Sequence, residues 1–238
     1  MKHLKRILPD YPRTNHIPWK PNTARGDLVA SPAEAEILFT SDKVSVEEKV
    51  DGANCGMALY EGHPVIRNSD HILAKGYVKD TPAKKQFASV FNWFYKNQEK
   101  FEKLNESLGP VGVYGEWLIA QHGLEYDNLP DWFVAFDVYD YEAHQFVCTK
   151  QARSALLEAG FTVVPQLHYG KLIDFEQLEL LANGTSNFTT KGPREGVYVK
   201  VSNDSWITDR FKMVRQGFVQ GALWDFKKLK KNKVGLQR

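Results

Sequence analysis

Apolar stretches with two different periodicities predict a protein that mixes helices and strands. Residues 44–50 alternate apolar and polar side chains, which is typical of a strand with one buried face. In such a strand Lys49 points away from the face that carries Val44 and Val46. Asp51 and Gly52 follow directly, and this pair favours a hairpin turn into a second strand over residues 57–60.

A helical period runs through residues 82–108, where aromatic and aliphatic side chains recur every three or four positions. This spacing predicts a helical face that packs in the core, with Thr81 as N-cap and Gly109 after the last turn. Other stretches predict shorter helices at 33–38, 151–158 and 175–181, and strands at 111–120, 132–139 and 161–165. The expected fold is α+β, with antiparallel sheets flanked by helices.

The 238 residues are enough for one substantial domain with its own core. We expect a single domain over residues 1–238, with an extended N-terminal arm rich in Pro, Asn and Gly over about residues 1–33. A short basic tail covers about residues 225–238. Hydrophobic residues make up 42% of the chain and charged residues 25%, which is typical of soluble globular proteins and argues against disorder.

Nothing in the sequence predicts a membrane segment or a disulfide framework. No apolar run approaches the roughly 20 residues that a membrane-spanning helix needs. We therefore expect a protein that does not associate with membranes and that works in the cytoplasm of its cell or host. The sequence does not reveal the oligomeric state, and we expect a monomer. Cys55 and Cys148 are predicted to be reduced, buried thiols.

Net charge gives little information about partners, but the distribution of charge gives more. A formal charge of +2 is common among enzymes that do not bind nucleic acid. The stretch Lys227–Lys233 contains no acidic residue and suits contacts with phosphates, and Lys75 and Lys79 add basic groups in a predicted loop. A solvated, frayed terminus explains the same tail equally well.

Charged residues stand at the ends of the predicted strands, and these positions carry the candidate chemistry. Glu48-Lys49-Val50-Asp51-Gly52-Ala53-Asn54 places a lysine between carboxylates, just before a glycine. The later motifs are Arg67-Asn68-Ser69, Gly115-Glu116-Trp117, Ala135-Phe136-Asp137, Glu195-Gly196-Val197-Tyr198-Val199-Lys200 and Lys212-Met213-Val214-Arg215. Any one of these residues also suits an ordinary surface ion pair or a core position, but a core does not require so many acids and bases at strand ends.

In this order and spacing, the motifs resemble those of the covalent nucleotidyltransferase superfamily. Within it they are most similar to ATP-dependent RNA ligases of the phage RNA ligase 2 type, over roughly Tyr11 to Trp224. The resemblance implies an adenylyltransferase domain with an ATP-grasp-like ligase fold. It also implies ATP as co-substrate, Mg²⁺ or Mn²⁺ as cofactor, and RNA as partner, either as a nicked duplex or as an RNA–DNA hybrid.

The resemblance also implies a role for each motif residue. Lys49 is the nucleophile that becomes lysyl-AMP; the AMP then passes to an RNA 5′-phosphate, and a 3′-hydroxyl displaces it to seal the strand. Lys200 and Lys212 share the catalytic work by contacting phosphates, and Glu195 is the metal-associated carboxylate. The implied ATP-binding set is Glu48 and Phe136 at the adenine, Glu116 at the ribose, Arg67 at phosphate or ribose oxygens, and Asp51, Gly52, Asn54, Glu195, Lys200, Lys212 and Arg215. Lys75, Lys79, Lys227 and Lys228 are the candidate nucleic-acid contacts.

The proposed nucleophile must be neutral to attack phosphorus, yet an exposed lysine has a pKa near 10.4. We expect nearby cations and burial to lower the pKa of Lys49, with Lys200, Lys212 and a bound metal ion as candidate sources. The fifth motif departs from the Lys-x-Lys that is common in the superfamily. Either Arg210 or Arg215 takes the place of the second lysine, and we favour Arg215.

Three other functions compete with RNA ligation. A minimal DNA ligase or a capping guanylyltransferase shares the lysyl-nucleotide chemistry, but those families usually carry an OB-fold domain after the fifth motif. Only 23 residues follow Arg215 here, since 238 − 215 = 23, so we expect no OB-fold domain. A catalytically inactive nucleic-acid-binding relative is the third alternative, but binding alone needs no lysine beside carboxylates.

Overall fold

Two five-stranded sheets form the framework of the protein. The computed structural model describes residues 4–24, 26–74, 81–225 and 227–235, so Lys75 and Lys79 lie outside the described residues. The first sheet has the order β1 (Asn15–His16), β10 (Ile207–Val214), β9 (Gly196–Ser202), β2 (Val44–Lys49) and β8 (Gln166–Tyr169). The second has the order β4 (His63–Asn68), β3 (Ala53–Tyr60), β5 (Val111–Trp117), β6 (Phe133–Asp140) and β7 (Gln145–Phe146).

All strand pairs are antiparallel except the short parallel pair of β1 with β10. The helices are α1 (Leu4–Ile7), α2 (Pro32–Ala35), α3 (Ile37–Thr40), α4 (Pro82–Lys85), α5 (Val90–Lys96), α6 (Gln98–Leu108), α7 (Thr149–Glu158) and α8 (Phe175–Ala182). The predicted α+β class with dominant antiparallel pairing is confirmed.

The predicted hairpin after Lys49 is wrong, because β2 and β3 lie in different sheets. β2 pairs with β8 and β9, whereas β3 pairs with β4 and β5. Residues 50–52 therefore form a crossover between the sheets, which we call the crossover turn. The prediction of one buried face is also wrong: Ser45 and Glu47 are as buried as Val44 and Val46, since β2 is an inner strand with both faces covered.

The predicted helical stretch 82–108 is confirmed as core but is divided into α4, α5 and α6. Its apolar side chains pack on the second sheet together with α7. The division between α5 and α6 falls at Asn97, whose side-chain amide donates to the carbonyl of Trp93 over 2.8 Å. An asparagine that bonds to nearby backbone competes with the helical hydrogen-bond pattern, which explains the break.

Two further differences concern the ends of elements. The predicted strand at 161–165 makes only one isolated bridge, between Val163 and Ala135, and the strand proper begins at Gln166. Pro165 has no N–H to donate to a ladder, which is consistent with the later start. The predicted helix at 33–38 is present as α2 and α3, and α2 begins with a capping box between Ser31 and Glu34.

Backbone hydrogen bonds pair residues 230–235 with the rest of the protein, so the alternative of a frayed terminus is wrong for that part of the tail. Lys231 forms a bridge with Ala120, and Val234 forms one with Leu129. Cys55 and Cys148 are free and buried, as predicted. Within the described ranges, no helix combines the length and the apolar character that crossing a membrane requires.

Candidate active site

The crossover turn places Lys49 at the junction of the two sheets. A Cβ atom added to Gly52 would lie 2.7 Å from Cδ2 of Leu118 and 2.8 Å from the carbonyl oxygen of Trp117, so only glycine fits. Asp51 is 5% exposed, and its Oδ2 accepts hydrogen bonds from the backbone N–H groups of Gly123 and Leu124. These contacts fix the turn that follows the candidate nucleophile.

Lys49 forms a mostly buried ion pair with Glu195, the first residue of the fourth motif. Its Nζ lies 2.7 Å from Oε1 of Glu195 and 5.5 Å from the ring centre of Tyr198. Burial favours the neutral amine, but the combined negative charges around it, with Glu195 the largest, outweigh burial and raise the pKa of Lys49 above its ordinary value. The expected lowering of this pKa is therefore wrong for the groups that the structure contains.

The two glutamates near the candidate nucleophile, Glu195 and Glu116, both have raised pKa values. Burial raises the pKa of Glu195 to about 7, although Lys49 opposes this. The Oε2 atom of Glu195 is buried and has no hydrogen-bond partner among the described residues. Burial also raises the pKa of Glu116 to about 8, and its Oε1 accepts a hydrogen bond from the N–H of Gly52 over 3.0 Å.

A cavity of about 680 Å³ opens beside the crossover turn. Its volume lies in the range of ligand sites, which is about 300–1,000 Å³. Among its lining residues are several of the predicted set, namely Lys49, Asp51, Gly52, Asn54, Glu116 and Phe136. A second cavity of about 430 Å³ borders Lys49 and Glu195 on another side and includes Lys212. The structure therefore brings motifs that are distant in sequence around one lysine.

Lys200 does not line either of these cavities. Its Nζ lies 2.6 Å from Glu47 and 2.7 Å from Asp137, and it donates to the carbonyl of Phe136 over 2.9 Å. Tyr11 donates to the other oxygen of Asp137 over 2.6 Å, and Arg210 lies 3.4 Å from that oxygen. Lys200 thus belongs to a buried ionic cluster beside Phe136, and its predicted phosphate contact stays a prediction.

Lys212 reaches the cavities but is paired with a residue of the N-terminal arm. Its Nζ lies 2.8 Å from Oδ1 of Asp27, and the other oxygen of Asp27 lies 3.1 Å from His16. Burial and the charge of Lys212 lower the pKa of His16, so the imidazole is mostly neutral near pH 7. Two residues of the predicted N-terminal arm, His16 and Asp27, therefore lie beside Lys49 and Lys212 at the second cavity.

The remaining predicted residues are held by protein groups. Arg67 is 1% exposed and donates to the carbonyls of Leu8 and Ser69 and to the carboxylate of Asp10. The carboxylate of Glu48 accepts hydrogen bonds from Ser186 and Asn187. Their assigned nucleotide contacts stay predictions.

The two arginines considered for the fifth motif lie in different surroundings. Arg210 is directed to Asp137 and stacks 4.2 Å from the ring centre of Phe146. Arg215 follows β10 and donates to the carbonyl of Arg194 over 2.8 Å. Both arginines are thus engaged by protein groups, and the choice of Arg215 as the replacement for the second lysine stays a prediction.

Sequence reasoning missed Glu47, Asp137, Tyr198, Asp27 and Tyr126. For Glu47 a signal was available, because strand alternation puts it on the same side of β2 as Lys49. The partners of Asp137 and Asp27 come from strands distant in sequence, so no local pattern indicates them.

Taken together, the two-sheet α+β framework and the motifs around Lys49 define a nucleotidyltransferase fold of the ligase type. The family model described as RNA ligase matches residues 42–214, which is well over half of the 238 residues. The chain belongs to the RNA ligase family. A sequence search of curated proteins finds no match.

Solved structures of an RNA ligase from Naegleria gruberi are similar to this chain. One with PPi has a TM-score of 0.57 and 21% identity, with 79% of this chain and 53% of that chain covered. A mutant with ATP and Mn has a TM-score of 0.56 and 24% identity over the same shares of the two chains. A further mutant, without ligand, has a TM-score of 0.55 and 19% identity, with 77% and 52% covered. This chain therefore spans about half the length of these relatives, and at these identities the likeness shows the fold.

Proposed function

We propose that the protein is an ATP-dependent RNA ligase that joins 5′-phosphate and 3′-hydroxyl ends through a covalent lysyl-AMP. The observation that carries this proposal is the burial of Lys49 against Glu195 beside a cavity lined by five other residues of the predicted ATP-binding set. A solvent-exposed surface lysine has no need of such surroundings. Membership of the RNA ligase family supports RNA as the polynucleotide.

In the first step, Nζ of Lys49 attacks the α-phosphorus of ATP. The new N–P bond replaces the bond between the α-phosphorus and the α,β-bridging oxygen, and pyrophosphate leaves with that bonding electron pair. The amine must lose a proton beforehand, whereas its pair with Glu195 keeps it charged. We therefore expect this ion pair to be broken when the nucleotide and the metal ion bind.

The residues present fit a divalent metal ion held mainly by substrate phosphates. Within the described part of the chain, no group of three or more His, Cys, Asp or Glu side chains is placed to form a metal cage. Glu195 offers the buried, unpartnered Oε2, and Mg²⁺ is commonly held by one or two carboxylates together with phosphates. When bound, such an ion supplies positive charge beside the transferring phosphate. The related Naegleria gruberi structures with ATP and Mn support the choice of nucleotide and metal.

The chain's own residues then orient the nucleotide. Phe136 lines the cavity, and Glu116 lies across the β3–β5 pair from Asn54, whose buried Oδ1 has no partner among the described residues. Lys212 lines the second cavity and, in this proposal, contacts phosphates after it leaves Asp27. After adenylylation, an RNA 5′-phosphate takes the AMP, and a 3′-hydroxyl displaces it.

The test is incubation of the full chain with labelled ATP and Mg²⁺ or Mn²⁺, followed by denaturation and detection of an acid-stable adduct. We expect labelling that requires the metal ion and is abolished in Lys49→Ala. Lys43→Ala is the matched control, because Lys43 precedes the same strand but forms an exposed pair with Asp204. Labelling of Lys49→Ala at the wild-type level would show that another residue is the nucleophile.

Nucleotide and strand preference separate the alternatives. Equal or stronger labelling with GTP would favour a capping-type guanylyltransferase. Faster joining of all-DNA nicks than of nicks with RNA on the 3′-hydroxyl side would favour a DNA ligase. Absence of any adduct would favour an inactive nucleic-acid-binding relative.

A further inference from the structure

The end of the described chain runs along the loop that supports the crossover turn. We call residues 230–235 the C-terminal strap and residues 118–129 the wall loop. Backbone hydrogen bonds of 2.8–3.0 Å join the strap to the wall loop at five points: Gln121 to Lys230, Asn232 to Ile119, Lys233 to Tyr126, Leu129 to Lys233 and Gly235 to Leu129. The strap is therefore paired along its length with a loop that borders the candidate site.

Asn232 is the one strap residue with a buried side chain in the described range 230–235, and it is 3% exposed. Its Nδ2 donates to the carbonyls of Leu118 over 2.9 Å and Ala120 over 3.0 Å. Its Oδ1 accepts from the backbone N–H of Tyr126 over 2.9 Å. One side chain thus ties the first part of the wall loop to its middle, and both amide hydrogens are used.

The other side of the wall loop holds the crossover turn. The hydroxyl of Tyr126, a fully buried side chain, accepts from the backbone N–H of Asp51 over 2.8 Å. The carboxylate of Asp51 accepts from Gly123 and Leu124, as described above. A continuous set of hydrogen bonds therefore leads from Asn232 through Tyr126 to Asp51, two residues after Lys49.

We propose that Asn232 is a positioning residue for the adenylylation of Lys49. It holds Tyr126 and the wall loop, which in turn hold the crossover turn and the direction of the Lys49 side chain. This inference rests on the proposed function, because it concerns the attack of Lys49 on ATP. Reactions that depend on alignment lose about 100-fold in rate when a group is misplaced by about 1 Å. Loss of the contacts that hold the crossover turn should therefore slow the attack by Lys49.

The test compares the full-length Asn232→Ala variant with the wild type in single-turnover labelling by ATP. We expect the rate of adduct formation at saturating ATP to fall by about 10-fold to 100-fold, with the half-saturating ATP concentration changed by less than about threefold. The same variant should join a pre-adenylylated RNA end with a smaller loss, because that step needs no attack by Lys49. Equal losses in both steps would contradict a role in positioning Lys49.

Asn105→Ala is the matched control for lost hydrogen bonds. Asn105 also joins two segments, since its amide donates to the carbonyl of Leu59 over 3.3 Å and accepts from the N–H of Val111 over 3.4 Å, but it lies at the far end of β3 and β5. We expect this variant to lose stability without losing the rate of adduct formation. A similar fall in rate in both variants would show that Asn232 acts only through general stability.

Tyr126→Phe tests the connection between the strap and the turn, because it removes only the hydroxyl that accepts from Asp51. If both residues act through the same hydrogen bonds, the double variant should lose less in the rate of adduct formation than the product of the two single fold-losses. An unchanged rate in Tyr126→Phe would overturn the inference, even if Asn232→Ala fails to fold. If the wild type forms no adduct, the proposed function fails and this inference fails with it. If the wild type forms the adduct and Asn232→Ala is labelled at the wild-type rate, only this inference is overturned.

Discussion

Two lysines of the first sheet show how strongly the residue environment decides a role. Lys49 has one carboxylate partner and a side chain that is 15% exposed beside a cavity. Lys200 has two carboxylate partners and a side chain that is 1% exposed. The first arrangement leaves the amine at the edge of a cavity, whereas the second encloses the cation between β2, β9 and β6.

Removing the charge of Lys200 from the buried ionic cluster should strongly destabilise the protein. Lys200→Met leaves Glu47 and Asp137 buried without their shared cation, so the free energy of unfolding should fall by about 3–5 kcal/mol. Lys43→Met removes an exposed pair with Asp204 and should leave the free energy of unfolding nearly unchanged. Urea unfolding of both variants measures the difference, and equal small changes would contradict a structural role for Lys200.

Glu116 predicts a pH dependence at the same scale. Burial raises its pKa to about 8 in the folded protein from an ordinary value of 4.5, so the folded state binds the proton more tightly than the unfolded state. The stabilisation is fully present below pH 4.5, the ordinary pKa, and is lost as the pH rises from there through about 8. Its share of the free energy of unfolding should fall with a slope of at most about 1.4 kcal/mol per pH unit.

Glu116→Gln removes this titration, so the free energy of unfolding from urea titrations should depend less steeply on pH between 4.5 and about 8. Glu102→Gln, on the exposed surface of α6, is the control and should keep the wild-type slope. The same slope in wild type and Glu116→Gln would show that Glu116 does not titrate in this range.

At the scale of elements, the crossover between the sheets depends on close backbone contact. Gly52→Ala would force Cβ against the carbonyl of Trp117 and the side chain of Leu118, and backbone cannot move aside as a flexible side chain can. We expect a loss of about 1–3 kcal/mol in the free energy of unfolding and a clear fall in adduct formation. Gly192→Ala is the control, because a Cβ there meets no atom within 4 Å. Wild-type labelling by Gly52→Ala would show that the turn tolerates displacement.

At the scale of the whole molecule, the basic tail predicts a contribution to RNA binding. Lys227 and Lys228 are exposed, and the strap that begins two residues after Lys228 is paired with the wall loop. Replacing both with alanine should weaken RNA binding and reduce the slope of log affinity against log salt by roughly one unit for each lost phosphate contact. Replacing the exposed Lys150 and Lys171 provides the control with equal charge. Equal slopes in the two double variants would show that the tail does not contact phosphates.

The sequence by itself determined the α+β class, the antiparallel strands β5 and β6, the core role of the aromatic stripe, and the motif positions around Lys49. These features depend on local periodicity or on residue types at strand ends, which a linear pattern records. The tertiary structure decided that β2 and β3 belong to different sheets, that Lys200 is enclosed by Glu47 and Asp137, and that Lys212 is paired with Asp27. It also decided that residues 230–235 of the tail pair with the wall loop. Each of these depends on which strands and side chains meet across long separations in the chain, and that is set by packing of the whole fold rather than by any local pattern.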